Sequence, residues 1–210
     1  MRILCFTGDS GAGKTTLIER LLSHLPLDPA SVGILKHTHH RLDWHPSGKD
    51  TTRFWQTGVG SVAVVDPAQI ACFQRADHAV GRPSETPNAG QLTSAPDLTC
   101  DPADRTSELV TGCRLFPQQV ELVLVEGYSR SRASMVWLTV HPPGTGRGPP
   151  QPELRAIVTT HQSVAGWSSE QPGTLVLTRA KVGTIARHVW DWAVELDELA
   201  LAVSPSASRP

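Results

Sequence analysis

Gly8-Asp9-Ser10-Gly11-Ala12-Gly13-Lys14-Thr15 is the stretch whose reading decides the fold of this chain. It fits G-x-x-x-x-G-K-[ST]. Arg2 to Thr7 before it form a short apolar run that reads as a strand. Thr16 to Leu25 after it carry Leu17, Leu21, Leu22 and Leu25 at helical spacing. Strand, glycine loop and helix make a phosphate cradle, because the glycines let successive N–H groups converge on one anion. Lys14 adds a positive charge near the β- and γ-phosphates. The Thr15 hydroxyl is placed to ligate Mg²⁺, with Thr16 beside it. A Gly/Ser-rich turn that matches by chance would lack the flanking strand and helix. The expectation is a nucleoside triphosphate site.

The remaining chain bounds what such a site can serve. There are 210 residues, 39% of them hydrophobic, and the formal net charge is −1. That length suits one nucleotide-binding domain over residues 1–200, with a short disordered tail over 201–210. The near-zero charge gives no bias toward nucleic acid or a membrane surface. No segment approaches the roughly 20 apolar residues that span a bilayer. The first strand starts at once, which argues against a signal peptide, so a soluble cytoplasmic protein is expected. Cys5, Cys72, Cys100 and Cys113 form no C-x-x-C pair. Cys5 and Cys72 fall in apolar runs and read as packing residues, while Cys100 and Cys113 fall in or beside a polar region.

Apolar runs at Ser31 to Lys36, Gln119 to Glu126, Met135 to His141, Leu154 to Thr159 and Thr174 to Leu177 read as further strands, the last pair closing the sheet. Ser61 to Asp66 and Gln69 to Phe73, separated by Asp66-Pro67-Ala68, read as an antiparallel hairpin. Asp50 to Thr57 and Arg105 to Phe116 suit short helices. Lys181 to Leu199 reads as one long helix with Val182, Ile185, Ala186, Val189 and Leu199 toward the sheet. Residues 74–104 are rich in Pro, Ser, Thr, Gly and Asp without a period, and read as a long flexible insertion. Alternating strands and helices predict a three-layer α/β P-loop fold with a mostly parallel sheet and an antiparallel hairpin extension. The ligand should lie at the carboxyl ends of the strands.

A second constellation follows the first helix. Lys36, His37, His39 and His40 lie where the second strand ends, and Lys49 and Asp50 follow a polar loop. Lys36 and Lys49 are candidates for phosphate contacts. Asp50 is a candidate to position water or Mg²⁺ near the γ-phosphate. The histidines, with His45, could alternatively bind Zn or Ni. Glu126 ends the most apolar strand, where an acidic residue can hold Mg²⁺. Gly127 frees the backbone to turn away. Arg130 and Arg132 supply two cations just beyond.

These pieces together resemble one family, the adapter proteins of molybdopterin-guanine dinucleotide biosynthesis (MobB). The resemblance rests on Gly8 to Thr15, on Leu35-Lys36-His37-Thr38-His39-His40, on Gly48-Lys49-Asp50 and on Leu124-Val125-Glu126-Gly127-Tyr128. It implies a P-loop GTP-binding homodimer that assists the molybdenum cofactor guanylyltransferase and handles molybdopterin cofactor, with weak GTPase activity at most. By position, Gly13, Lys14 and Thr15 would hold phosphates and Mg²⁺. Asp50 and Glu126 would be the acidic residues of the site. Lys36, His37, His39 and His40 would line the neighbouring loop. The family's Ser-Asp pair near the base is not matched, since Ala156 to Gln162 contains no carboxylate. Guanine is thus implied by the resemblance and not by these residues. Two other classes remain open: a metallochaperone-type GTPase using His37, His39 and His40, and a small-molecule P-loop kinase.

Overall fold

The computed structural model describes residues 1–38, 49–67, 69–75, 92–94, 104–145, 149, 153–160, 166–167 and 173–203. His39, His40, His45, Cys100, most of the 74–104 segment and residues 204–210 lie outside the described residues, as do the side chains of residues 49–51.

The strands are β1 (Arg2–Gly8), β2 (Val32–His37), β3 (Ser61–Val65), β4 (Gln69–Gln74), β5 (Leu92–Ser94), β6 (Leu122–Glu126), β7 (Met135–Thr139), β8 (Leu154–Thr159), β9 (Leu175–Thr178) and β10 (Val194–Glu195). Among the described residues they form one sheet in the order β5-β4-β3-β2-β6-β1-β7-β8-β9, with β10 beside β1. From β3 to β9 every neighbouring pair is parallel. β3, β4 and β5 are antiparallel. The hairpin and the mostly parallel sheet are as the sequence predicts. The short β5 falls inside the segment that shows no sequence period.

Side-chain alternation divides the sheet into two faces. On β1, Leu4 and Phe6 enter one core cluster while Ile3 and Cys5 enter the other. The first cluster takes α1 (Lys14–Leu22), α2 (Lys49–Gln56) and α4 (Val182–Trp192) through Leu17, Ile18, Leu21, Phe54, Ile185 and Val189. The second takes α3 (Thr106–Cys113) and α5 (Leu196–Val203) through Leu109, Val110, Cys113 and Leu199. This makes three layers. Both faces of β1, β2 and β6 are covered, which is why those strands are near-continuous apolar runs.

Three local expectations change. The helix expected over Lys181 to Leu199 breaks at Ala193, whose backbone is extended (φ −69°, ψ 139°). β10 then pairs antiparallel with Arg2 and Ile3, so β9 is not the last strand. The physical reason lies at the edge of β1: β7 pairs only with Cys5 to Gly8 and leaves the start of β1 without a partner on that side. Arg2 Nε donates to Glu195 at 2.9 Å and fixes the pairing. Helical periodicity cannot report a vacant strand edge elsewhere in the chain. Second, Cys113, expected in or beside a polar region, is fully buried on α3, inside the short helix expected over Arg105 to Phe116. Third, Leu201 to Val203 continue α5, so the expected disordered tail begins in helix. Among the described residues no helix is long and apolar enough to cross a membrane.

Candidate nucleotide site

The glycine loop joins β1 to α1 at the carboxyl end of the parallel strands. Gly8, Gly11 and Gly13 all have positive φ (123°, 71° and 80°). At Gly8 a Cβ would overlap the Leu138 carbonyl of β7, so both the conformation and the space require glycine. Asp9 ties the loop down. Its carboxylate accepts from the Thr139 hydroxyl at 2.7 Å and the Val140 N–H at 3.2 Å, and its own N–H donates to the Leu138 carbonyl.

Gly13 caps α1 without a side-chain hydrogen bond, and the first turn holds no acidic residue. The amides there are the ones an anion would occupy. Lys14 Nζ donates to the Asp9 carbonyl at 2.8 Å and the Gly8 carbonyl at 3.2 Å, which folds it back over the loop. Burial pulls its pKa below the ordinary lysine value. The charges of Glu126 and Asp9 pull it up, and Lys36 pushes it down.

The acidic side of the site follows from strand parity. Lys36 on β2 and Glu126 on β6 are register partners, and Glu126 is also the partner of Phe6 on β1. Phe6, Ile34 and Leu124 belong to the cluster that holds α1, so residues of the same parity face α1. Thr15 Oγ1 donates toward Glu126, 3.0 Å from each carboxylate oxygen. Lys36 Nζ lies 3.6 Å from Glu126. The structure thus brings Lys14, Thr15, Lys36 and Glu126 together at the head of α1. Thr16 accepts from Arg53 of α2 at 3.3 Å, and Arg53 also pairs with Glu19 of α1 at 2.5 Å. This seats α2 beside the loop. The backbone places Lys49 and Asp50 in the first turn of α2.

His37 is not brought to the side of Lys14, Thr15 and Glu126. One residue beyond Lys36, it turns to the α3 face. Its Nε2 lies 2.8 Å from Arg105 Nη1 and therefore acts as the acceptor, while its ring lies 4.9 Å from the Tyr128 ring. Glu108 completes the group, holding Arg105 at 3.0 Å and accepting from the Tyr128 hydroxyl at 3.2 Å. Gly127 (φ 116°) and Tyr128 (φ 58°) turn the chain between the two faces, and a Cβ at Gly127 would crowd His37 at 3.1 Å. Glu126 and His37 therefore serve opposite sides of one sheet edge. Among the described residues no three His, Cys, Asp or Glu side chains are grouped to hold a metal ion.

Sequence reasoning misses Arg179. It lies just after β9, three strands from β1, and its guanidinium donates to the Ala12 carbonyl and lies against Gly13. No local signal points there, because the contact crosses β7 and β8.

Residues 3–92 match the family model described as Molybdopterin guanine dinucleotide synthesis protein B. The chain is 30% identical over 128 residues to the molybdopterin-guanine dinucleotide biosynthesis adapter protein of Haemophilus influenzae, covering 61% of this chain and 57% of that relative. It is 27% identical over 136 residues to the adapter protein of the same description from Escherichia coli, covering 65% of this chain and 64% of that relative. The matches thus span somewhat more than half of each relative's length. Among solved structures, the chain is similar to Bacillus subtilis MobB (TM-score 0.48, 16% identity, covering 90% of this chain and 98% of that one). It is also similar to a MobB homolog from Bacillus stearothermophilus (TM-score 0.43, 18% identity, 95% and 98% covered). Residues 3–92, from the first strand through the glycine loop, Lys36 and the hairpin, carry the likeness to the molybdopterin guanine dinucleotide synthesis protein B family.

Proposed function

We propose that this chain is a GTP-binding adapter of molybdenum cofactor maturation that works with the guanylyltransferase joining GMP to molybdopterin. The observation that carries the reading is the glycine loop set against Glu126 and Lys36. The adapter role is taken from the names of the relatives. The residues present fit a magnesium nucleotide. α1 begins with no side-chain cap. Lys14 rests on carbonyls that phosphate oxygens would replace as its partners. Thr15 and Glu126 offer two hard oxygen donors side by side.

In this reading the amides at the head of α1 bind the phosphates, and Lys14 neutralises their charge. Thr15 and Glu126 hold Mg²⁺, which when bound would neutralise charge on the phosphate oxygens. Lys36 pairs with Glu126 and orients it. Asp50 takes the role of orienting water, and hydrolysis is slow. The working form is a cytoplasmic homodimer that docks on the guanylyltransferase.

The test is calorimetry with GTP and ATP plus Mg²⁺, with the guanylyltransferase present and absent. GTP binding that tightens with the partner, matched by partner binding that tightens equally with GTP, is the expected result. Equal ATP binding with no partner effect would refute the adapter reading. Lys14→Ala should abolish nucleotide binding and leave thermal unfolding of the free protein nearly unchanged. Surviving affinity would refute the phosphate assignment.

A further inference from the structure

Arg179 is seated on the glycine loop by a contact that no sequence motif accounts for. Its guanidinium donates to the Ala12 carbonyl. A Cβ at Gly13 would lie 3.0 Å from the guanidinium carbon, so the group rests directly on the residue that caps α1. Its Nε is buried with no acceptor among the described residues. A guanidinium carries five N–H donors and no acceptor.

The sheet order says which end of a nucleotide would meet this group. Thr15, Glu126 and Lys36 mark the metal and terminal-phosphate side, which lies toward β6 and β2. Arg179 reaches the loop from β9, on the other side of β1. A phosphate chain running across the head of α1 with its metal end at Glu126 points its nucleoside toward Arg179. This orientation rests on the nucleotide reading above.

We propose that Arg179 is the nucleoside-side contact of the site and that its donor-only guanidinium selects guanine over adenine. Guanine presents two adjacent acceptors, O6 and N7, which match a guanidinium fork. Adenine presents N7 beside the N6 amino group, which sets a donor against a donor. The strand end next to it supplies no competing carboxylate reader: β8 closes at Thr159, and Thr160-His161-Gln162 follow in sequence. A fork of this kind is worth about 5- to 150-fold in discrimination.

The test measures binding of GDP, inosine diphosphate and ADP with Mg²⁺ to the full chain and to two variants. Inosine keeps O6 and N7 but lacks the 2-amino group, so the intact protein should bind it like GDP and bind ADP more weakly. Arg179→Ala should bring GDP and inosine diphosphate down to the ADP level and leave ADP within about twofold. Arg179→Gln keeps a donor for the Ala12 carbonyl but presents one donor and one acceptor, the pattern adenine matches. It should therefore move the preference toward ADP. Thermal unfolding of each variant checks that it is folded. Equal binding of GDP and ADP by the intact protein would overturn the proposal while the nucleotide site stands. So would a uniform loss of all three in both variants, which would make Arg179 a tether of the loop. Discrimination against inosine diphosphate would assign the reading to the 2-amino group and overturn it as well. Failure of every nucleotide to bind would remove the nucleotide reading itself.

Discussion

Replacing Glu126 with glutamine removes one charge and almost no volume at the centre of the site. Lys36 Nζ lies 3.6 Å away, and the two side chains are 17% and 11% exposed. At an effective dielectric of about 20, that separation corresponds to about 4–5 kcal/mol of Coulomb attraction. Part of it is offset because the variant no longer desolvates a carboxylate, and because the glutamine amide oxygen still accepts from Thr15. The net loss expected is about 1–3 kcal/mol, which for a chain of this size lowers the melting temperature by about 2–12 °C. Scanning calorimetry reads that shift. The same variant changes Lys14, because the Glu126 charge is the main influence holding the half-buried ammonium up against desolvation. A lowered lysine pKa means that phosphate affinity is present below it and lost as pH rises through it. Glu126→Gln should therefore lose GDP affinity at a lower pH than the intact protein, and Mg²⁺ should tighten GDP less in the variant. A double-mutant cycle with Lys36→Met isolates the pair. An unchanged melting temperature, together with an unchanged Mg²⁺ dependence, would refute the placement of Glu126 in both roles.

Gly8→Ala should cost at least about 2 kcal/mol, since its Cβ would strike the Leu138 carbonyl, whereas Gly11→Ala meets nothing within 4 Å and should cost about 1–2 kcal/mol from its backbone conformation alone; urea titration of the two compares them. Tyr128→Phe removes the hydroxyl that Glu108 accepts in a buried setting and should lose about 1–3 kcal/mol of unfolding free energy, with GDP affinity nearly unaffected because the group lies on the α3 face. Burial pushes the Cys5 thiol up to about 12, with a Ser131 hydrogen bond pulling the other way, and burial also raises Cys113 and Tyr128. The native state thus keeps protons that the unfolded chain releases, so stability is full below the ordinary thiol range and falls as pH rises from about 9 toward 12. Urea midpoints across that range should fall, and Cys5 should react with iodoacetamide only after unfolding.

The glycine loop was legible because its chemistry is local. Gly8, Gly11 and Gly13 set the turn, and Lys14 and Thr15 follow at fixed spacing, so eight consecutive residues carry the motif. Glu126 was legible from its place at the end of a fully apolar strand. Alternation along β2 and β6 separates Lys36 from His37 once one knows which face carries α1, and the sequence alone does not say which that is. The split between α4 and α5 was hidden for a similar reason. The helical spacing over 181–199 is real, but the edge of β1 claims Val194 and Glu195.

By itself the sequence determined the glycine loop between a strand and a helix, the parallel core strands with their hairpin extension, and the acid at the end of β6. These are properties of neighbouring residues, set by backbone conformation and by periods of two and 3.6. Only the tertiary structure decided that Lys36 faces Glu126 while His37 faces Glu108, that β10 completes β1, and that Arg179 rests on Gly13. Each of these depends on which strands lie side by side. Residues 36 and 126, or 12 and 179, meet only because the sheet order brings their strand ends to one edge, and that order is fixed by burying two opposite apolar faces at once.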